Sequence, residues 1–351
     1  MQVPSPAEPR PPSKPQLPAG GQHRWSNGAG LTYEGGWMDG LYHGNGTLRE
    51  PDGSRYVGEW EHGKRSGSGK QYWPDGTHHD GAWEVNQPQG PGSRRDVQGI
   101  VRTGGWTGTV MSNGLVALPS GHTYAGQVLT HQGTRISARY LSWLKDLAER
   151  GDRYAQMLLA ECYRDYEFPD RDPSEQRRWL RASAAQGHPP AQFALSSLLA
   201  GDEADSWLRK AAEGRYAEAL HALARTERNR GNGSLSLALA RQASDLGYMP
   251  ARLDLAWWLA TTPEAGRREG EEAVALVRDI AITYGRWQYL DTFAAALART
   301  GAYDPAAETA VRAHEAALNA GEPDTVLQRI NARRQMYERS EPFTTAHEEH
   351  P

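Results

Sequence analysis

The sequence predicts an α+β multidomain repeat protein, a β-hairpin array followed by an all-α helical-pair solenoid. Three observations predict it. A pentamer ending in tryptophan recurs every 23 residues in the first third of the chain. Beyond Ile136 the apolar period changes from two residues to about 3.6 and alanine becomes common. Glycines then recur at helix-sized intervals to the end. Repeats of this length cannot bury their own apolar faces and must stack on their neighbours.

The hairpin elements come first. The pentamers are YEGGW from Tyr33, YVGEW from Tyr56, HDGAW from His79 and RTGGW from Arg102, with a degenerate YAGQV from Tyr124. Trp37, Trp60, Trp83 and Trp106 therefore share one register position, and Gly35, Gly58, Gly81 and Gly104 share another. First and fifth residues of a strand pentamer point to one side, with the glycine between them. A glycine there lets an aromatic ring lie flat against the backbone. The PDG triplets at Pro51–Gly53 and Pro74–Gly76 are turn chemistry. Strands near 31–37 and 44–50 follow, one hairpin per 23 residues. A lone hairpin is marginal in water, so the copies must form a continuous sheet.

Composition agrees. Hydrophobic content is 38%, yet the 351 residues include 38 glycines and 12 tryptophans, which suits turns repeated around flat anchors better than one large core. The net charge is −4, so bulk charge recruits neither nucleic acid nor an anionic membrane. Cys162 is the only cysteine, which rules out an internal disulfide and a cysteine-based metal cluster. The first 18 residues hold seven prolines and lack an apolar signal core; residues 1–24 are expected to be a disordered tether. No stretch approaches the length of a membrane span. Location is left open between the cytoplasm and, if an upstream signal has been removed, the periplasm.

The copies YEGGWMDGLYHGNGTLREPDG and YVGEWEHGKRSGSGKQYWPDG resemble MORN repeats, and the resemblance extends over residues 25–135. His79 and Arg102 stand where the family has tyrosine, and Val128 where it has tryptophan, so later copies are expected to pack less regularly. The resemblance implies protein contacts, self-association through the array and, in some accounts, phosphoinositide binding. Residues 24–135 carry ten Lys/Arg against ten Asp/Glu, whereas a lipid-reading surface wants clustered basic residues. Membrane lipid is therefore not an expected partner.

The helical elements follow. Residues 136–150 place Leu141, Leu144 and Leu147 on one face and should form a helix joining the arrays. Gly151, Gly187, Gly214, Gly247, Gly285 and Gly321 sit where left-handed residues would close helices, with two helices between successive glycines. Ala155, Ala191, Ala217 and Ala251 follow four of them, small enough for close helix packing. WLRASAAQGHPPAQFALSSLL, WLRKAAEGRYAEALHALA and LARQASDLGYMPARLDLAWWLA resemble Sel1-like repeats over 151–262. The interval from Gly187 to Gly214 is short, which calls for a tight helix junction near Gly201–Asp202. Residues 263–340 look like a tetratricopeptide pair with a capping helix, and 341–351 read as a flexible tail.

Sequences that imitate catalytic signatures do not fit them. GKRSGSGK at Gly63–Lys70 has the wrong phosphate-loop spacing and lies within the hairpin register, and HEEH at His347–His350 is one residue short of the zinc-protease spacing. SWLK at Ser142–Lys145 lacks its companion motifs. The histidines fall at different register offsets and form no metal ladder. No catalytic residue, metal or cofactor is expected; the chain reads as a non-catalytic scaffold for other proteins, the alternative being an envelope-associated regulatory or targeting subunit with membrane-lipid contact through the hairpin array. Candidate partner-binding residues are the aromatic columns Tyr33, Trp37, Tyr56, Trp60, Trp83, Trp106 and Tyr124, although filling the array is the role that suits them first, since each hairpin has little else to bury. On the inner helical face Arg153, Gln192, Arg215 and Arg252 are candidates. Trp257 joins them, because it and Trp258 should not both fit one core stripe.

Overall fold

The computed structural model describes residues 20–130, 135–164, 172–263 and 265–344. Most of the proline-rich tether, His131 and the HEEH sequence lie outside the described residues.

The hairpin array is one ten-stranded antiparallel meander in strict sequence order. Its strands are β1 Gly20–Ser26, β2 Thr32–Met38, β3 Leu41–Arg49, β4 Arg55–Glu61 and β5 Lys64–Tyr72. They continue as β6 His78–Glu84, β7 Gln87–Arg95, β8 Val101–Thr107, β9 Val110–Ala117 and β10 Thr123–Gln127. Three register rows cross the whole sheet. The middle row is glycine: Gly35, Gly46, Gly58, Gly69, Gly81, Gly92, Gly104, Gly114 and Gly126 pair in succession. Beside it runs a row from Tyr33 through Leu48, Tyr56, Gln71 and His79, whose side chains cover one face. The glycines are needed because those rings occupy the space. A Cβ on Gly46 would stand 2.1 Å from the Tyr33 hydroxyl, and one on Gly69 2.0 Å from that of Tyr56.

Two kinds of hydrogen bond recur along the array. Tyr33, Tyr56 and Tyr124 donate their hydroxyls to the carbonyls of Gly36, Glu59 and Gln127, three residues on. The indoles of Trp60, Trp83 and Trp106 donate to Gly46, Gly69 and Gly92 of the preceding copy. The rings meet edge to face, Tyr56 lying 5.0 Å from Trp60 and 5.4 Å from Trp83. The array is thus held by aromatic edges and indole N–H groups.

After a short ribbon, β11 Leu129–Thr130 with β12 Arg135–Ile136, the chain is helical. The helices are α1 Ala138–Glu149, α2 Arg153–Arg164, α3 Pro173–Ala185, α4 Pro189–Ser196, α5 Gly201–Glu213 and α6 Ala217–Asn229. Then come α7 Gly233–Asp245, α8 Met249–Thr261, α9 Arg267–Tyr284, α10 Trp287–Arg299, α11 Tyr303–Asn319 and α12 Asp324–Glu338. The α1 helix seals the last strand, with Tyr140 and Trp143 against Tyr124, and is also the first member of the first helical pair.

Five of the six closing glycines take positive φ as expected, but Gly214 does not. Arg215, at φ 57°, takes the left-handed position instead. The alanine register shifts with it: Ala155, Ala191, Ala219 and Ala251, each four residues beyond a left-handed residue, are fully buried, whereas Ala217 is not. The short copy is accommodated by an eight-residue α4, and Asp202 already lies inside α5. Within the expected tail, Phe343 packs on Trp257 and its carbonyl accepts from Arg299.

The two arrays do not continue end to end. The helical array doubles back along the edge of the sheet formed by the turns between copies. Asp152, after α1, meets Ser120 and His122, and Gly247, after α7, rests against Pro74. Arg252 donates to the Pro51 carbonyl, Tyr284 to Glu50 and Thr283 to the Ala29 carbonyl. Spacings explain the match: strands lie about 4.8 Å apart, so a hairpin advances about 9.6 Å, close to the 8–10 Å between packed helices. Successive turns of one array therefore meet successive turns of the other.

Candidate functional site

Three surfaces deserve comparison: the aromatic columns, the histidine clusters and the open face of the sheet. All seven aromatic candidates are buried. Tyr33, Trp37, Tyr56, Trp60 and Trp83 form one core, while Trp106 and Tyr124 join the core that continues into α1 and α2. Their edges face each other and the glycine row, so the folded array presents none of them as a groove.

The helical candidates separate. Gln192 is buried and donates to the Ala184 carbonyl, closing a helix end. Trp257 and Trp258 are both buried, contrary to expectation, because α8 is enclosed on several sides. Arg333 from α12 lies over the Trp257 ring and makes a two-pronged salt bridge to Asp291 of α10. Arg252 is committed to the seam, donating to Pro51 and to Leu276. Arg153 and Arg215 face the turn between the third and fourth hairpins. The periodicity that placed these residues on helices carried no information about what would pack against them.

The titratable clusters were not legible in the sequence, since their members lie about 30 residues apart. Ser120, His122 and Asp152 resemble a hydrolytic triad in composition, but both Ser120 and Asp152 address Nδ1 of His122. A base that relays a proton needs its nucleophile and its orienting acid on opposite ring nitrogens. This cluster instead fastens the two arrays. Burial opposes ionisation of Asp152, yet hydrogen bonds from Ser120, the Ala155 N–H, His122 and the Tyr154 N–H hold its carboxyl below the ordinary value. His221 and Asp254 form a buried 2.8 Å pair between α6 and α8, packed beside Tyr248.

His79 stands in the tyrosine column, edge on to Trp83 and Trp106. Both of its ring nitrogens are buried without a hydrogen-bond partner. Burial, helped by the Arg94 charge, pushes its pKa down to about 4, so it is neutral at physiological pH. It fills the place of the ring without supplying the hydroxyl.

The open face is the third row of the register. Glu34, Thr47, Val57, Lys70, Asp80, Ser93, Thr103 and Leu115 are successive cross-strand neighbours on the side away from the rings. Across β1 to β4 this face holds a trough of about 380 Å³, with Gly35, Gly46 and Gly58 among its lining residues.

This architecture can be set beside known proteins. The MORN repeat matches at residues 33–55 and 56–78. These two copies are MORN repeats. The MORN geometry continues structurally through Trp83 and Trp106, whose indoles make the same bond as that of Trp60. No curated protein matches the chain. The MORN array is followed by helices similar to those of a Sel1 repeat protein from Oxalobacter formigenes, with 22% identity, a TM-score of 0.39, and 51% of this chain and 56% of that one covered. A protective antigen of uropathogenic Escherichia coli with an SLR fold gives 21% identity and a TM-score of 0.42, covering 60% and 53%. An immunity protein from Pseudomonas aeruginosa gives 16% and 0.32, covering 58% and 75%. The chain thus spans little more than half the length of the first two.

Proposed function

We propose that this chain is a non-catalytic scaffold that binds other proteins on the open face of its MORN sheet. The observation that carries the proposal is the uninterrupted row from Glu34 to Leu115. Over these eight strands the row extends about 34 Å. Its side chains are small or of mixed charge, with Val57 and Leu115 as exposed apolar points, and Lys70 pairs with Asp80 across strands. A long, flat, mixed surface suits a protein partner better than a small molecule, which needs enclosure. A second copy of the chain is a partner of the same kind, because β1 is an edge strand among the described residues.

Amine crosslinking of the full chain in its native host, read by mass spectrometry, tests this. Reproducible links from Lys70 to one other protein, or to a second copy, are expected. Recovery of no recurring neighbour would overturn the scaffold reading.

A further inference from the structure

The seam between the arrays is closed at most of its turns but opens at one. Around the turn joining the third and fourth hairpins there is a cavity of about 260 Å³, lined by Val97 and Gln98 from the sheet side. Arg153, Tyr154, His188, Pro189, Arg215 and Tyr216 line it from the helical side. The gap has a physical origin. The short helical copy brings two helix junctions, at Gly187–Pro190 and Gly214–Tyr216, against this single hairpin turn.

The sequence departs from its own repeat at the same place. In the two preceding turns an aspartate one residue before the glycine accepts a backbone N–H: Asp52 from Ser54 and Asp75 from Thr77. Gln98 occupies that position in the third turn. Here Asp96 does the work instead, accepting from the N–H groups of both Gln98 and Ile100. Gln98 is thereby released from turn-making, and its buried Oε1 has no hydrogen-bond partner. Val97, where the two preceding turns have proline, is about half exposed.

The lining contains two arginines and no carboxylate. Arg153 is steadied by Tyr154, whose hydroxyl accepts from it at 3.1 Å, while Arg215 is exposed at its left-handed position. The N-terminus of α6 opens onto the same space without a side-chain cap, and its dipole adds to the positive potential. His188, kept neutral by burial and by the neighbouring Arg153 charge, contributes no charge of its own.

We infer that this seam cavity is a docking site for an acidic peptide segment of a partner protein. A carboxylate of the segment engages Arg153 and Arg215, and the Gln98 amide, whose oxygen is covered and unpaired, rotates to accept a backbone N–H of the segment. The donor-seeking amide distinguishes a peptide from a bare anion, which has no N–H to offer. The inference rests on the scaffold reading above but names a different surface, so the two can fail separately.

The test pans a phage-displayed library of random octapeptides on the full chain and on Arg153→Glu/Arg215→Glu. Enrichment of Asp and Glu is expected on the natural sequence and not on the variant. A selected peptide should bind the variant at least roughly tenfold more weakly, the size of one lost charge-assisted hydrogen bond. Gln98→Leu should weaken the same peptide without changing weak binding of sodium acetate. Thermal melts check folding, and Arg215→Glu alone serves if the double variant does not fold. Peptides without acidic bias, peptides indifferent to the charge reversal, acetate competing as well as peptide, or no enrichment at all would each overturn the seam site. None of these results would disturb crosslinks from Lys70, which judge the open face independently.

Discussion

Gly69→Ala probes the glycine row directly. Gly69 lies in β5 opposite Gly58, and its φ is not in the left-handed region, so alanine carries no backbone penalty of that kind there. The penalty is steric. The new Cβ would stand 2.0 Å from the Tyr56 hydroxyl oxygen, 2.4 Å from Cζ and 2.6 Å from Cε2. Ordinary contact needs more than 3.4 Å, so the ring must move by over an ångström. It has nowhere to go, because Tyr56 is 1% exposed, wedged between Trp60 and Trp83, and bonded to the Glu59 carbonyl. Overpacking costs about 1–3 kcal/mol, and expelling the ring approaches the roughly 3–5 kcal/mol of losing a buried aromatic. We expect about 2–4 kcal/mol of destabilisation, read by urea titration with tryptophan fluorescence and near-ultraviolet circular dichroism. Gly76→Ala is the control, since open space surrounds it and only its φ of 88° is at stake; it should cost about 1 kcal/mol. In a Tyr56→Ala background the obstructing ring is gone, and the Gly69→Ala increment should fall below about 1 kcal/mol. An undiminished increment there, or a near-neutral single variant, would refute the account of the row.

His79→Tyr should stabilise the array by about 1 kcal/mol, because the hydroxyl can reach the Ala82 carbonyl as Tyr56 reaches Glu59, and two orphaned nitrogens disappear. The same position bears on pH. His79 and His188 have folded pKa values lowered to about 4 from an ordinary 6.5, so between those values the unfolded chain binds protons that the folded one does not. Stability is therefore fully present above pH 6.5 and falls as pH drops toward 4, by about 1–2 kcal/mol per histidine after allowance for partial solvation. Urea midpoints at pH 7 and 4.5 should differ less in His79→Tyr than in the natural sequence. Arg333→Ala should cost about 3–5 kcal/mol, since it strands the buried Asp291 carboxylate; a change under 1 kcal/mol in thermal melts would contradict that. Tyr284→Phe removes a 2.7 Å donor to Glu50, whose pKa burial already raises. A loss of about 1–2 kcal/mol is expected, with faster amide exchange in β2 to β4 if the seam supports the sheet.

What the sequence determined by itself is whatever repeats. The 23-residue interval places the indoles of Trp60, Trp83 and Trp106 over a glycine of the preceding copy, so strand order and register follow from spacing, while the packed sheet decided that Tyr33 to Tyr124 are buried. Helical pairs were equally legible from their closing glycines, except where Arg215 assumed the left-handed position and moved the alanine register to Ala219. A left-handed arginine has no sequence signal as clear as a glycine's. Tertiary structure alone decided how the two arrays meet. Spacing along the chain fixes neighbours within an array, but the seam joins residues more than 200 positions apart, such as Thr283 with Asn27 and Arg252 with Pro51. It exists because hairpin and helical pair advance by nearly equal steps, a property of backbone geometry. That is also why Gln192 and Arg252 were misplaced as free surface, and why Val97 and Gln98, unremarkable in the sequence, frame a cavity where the two repeats fall out of step.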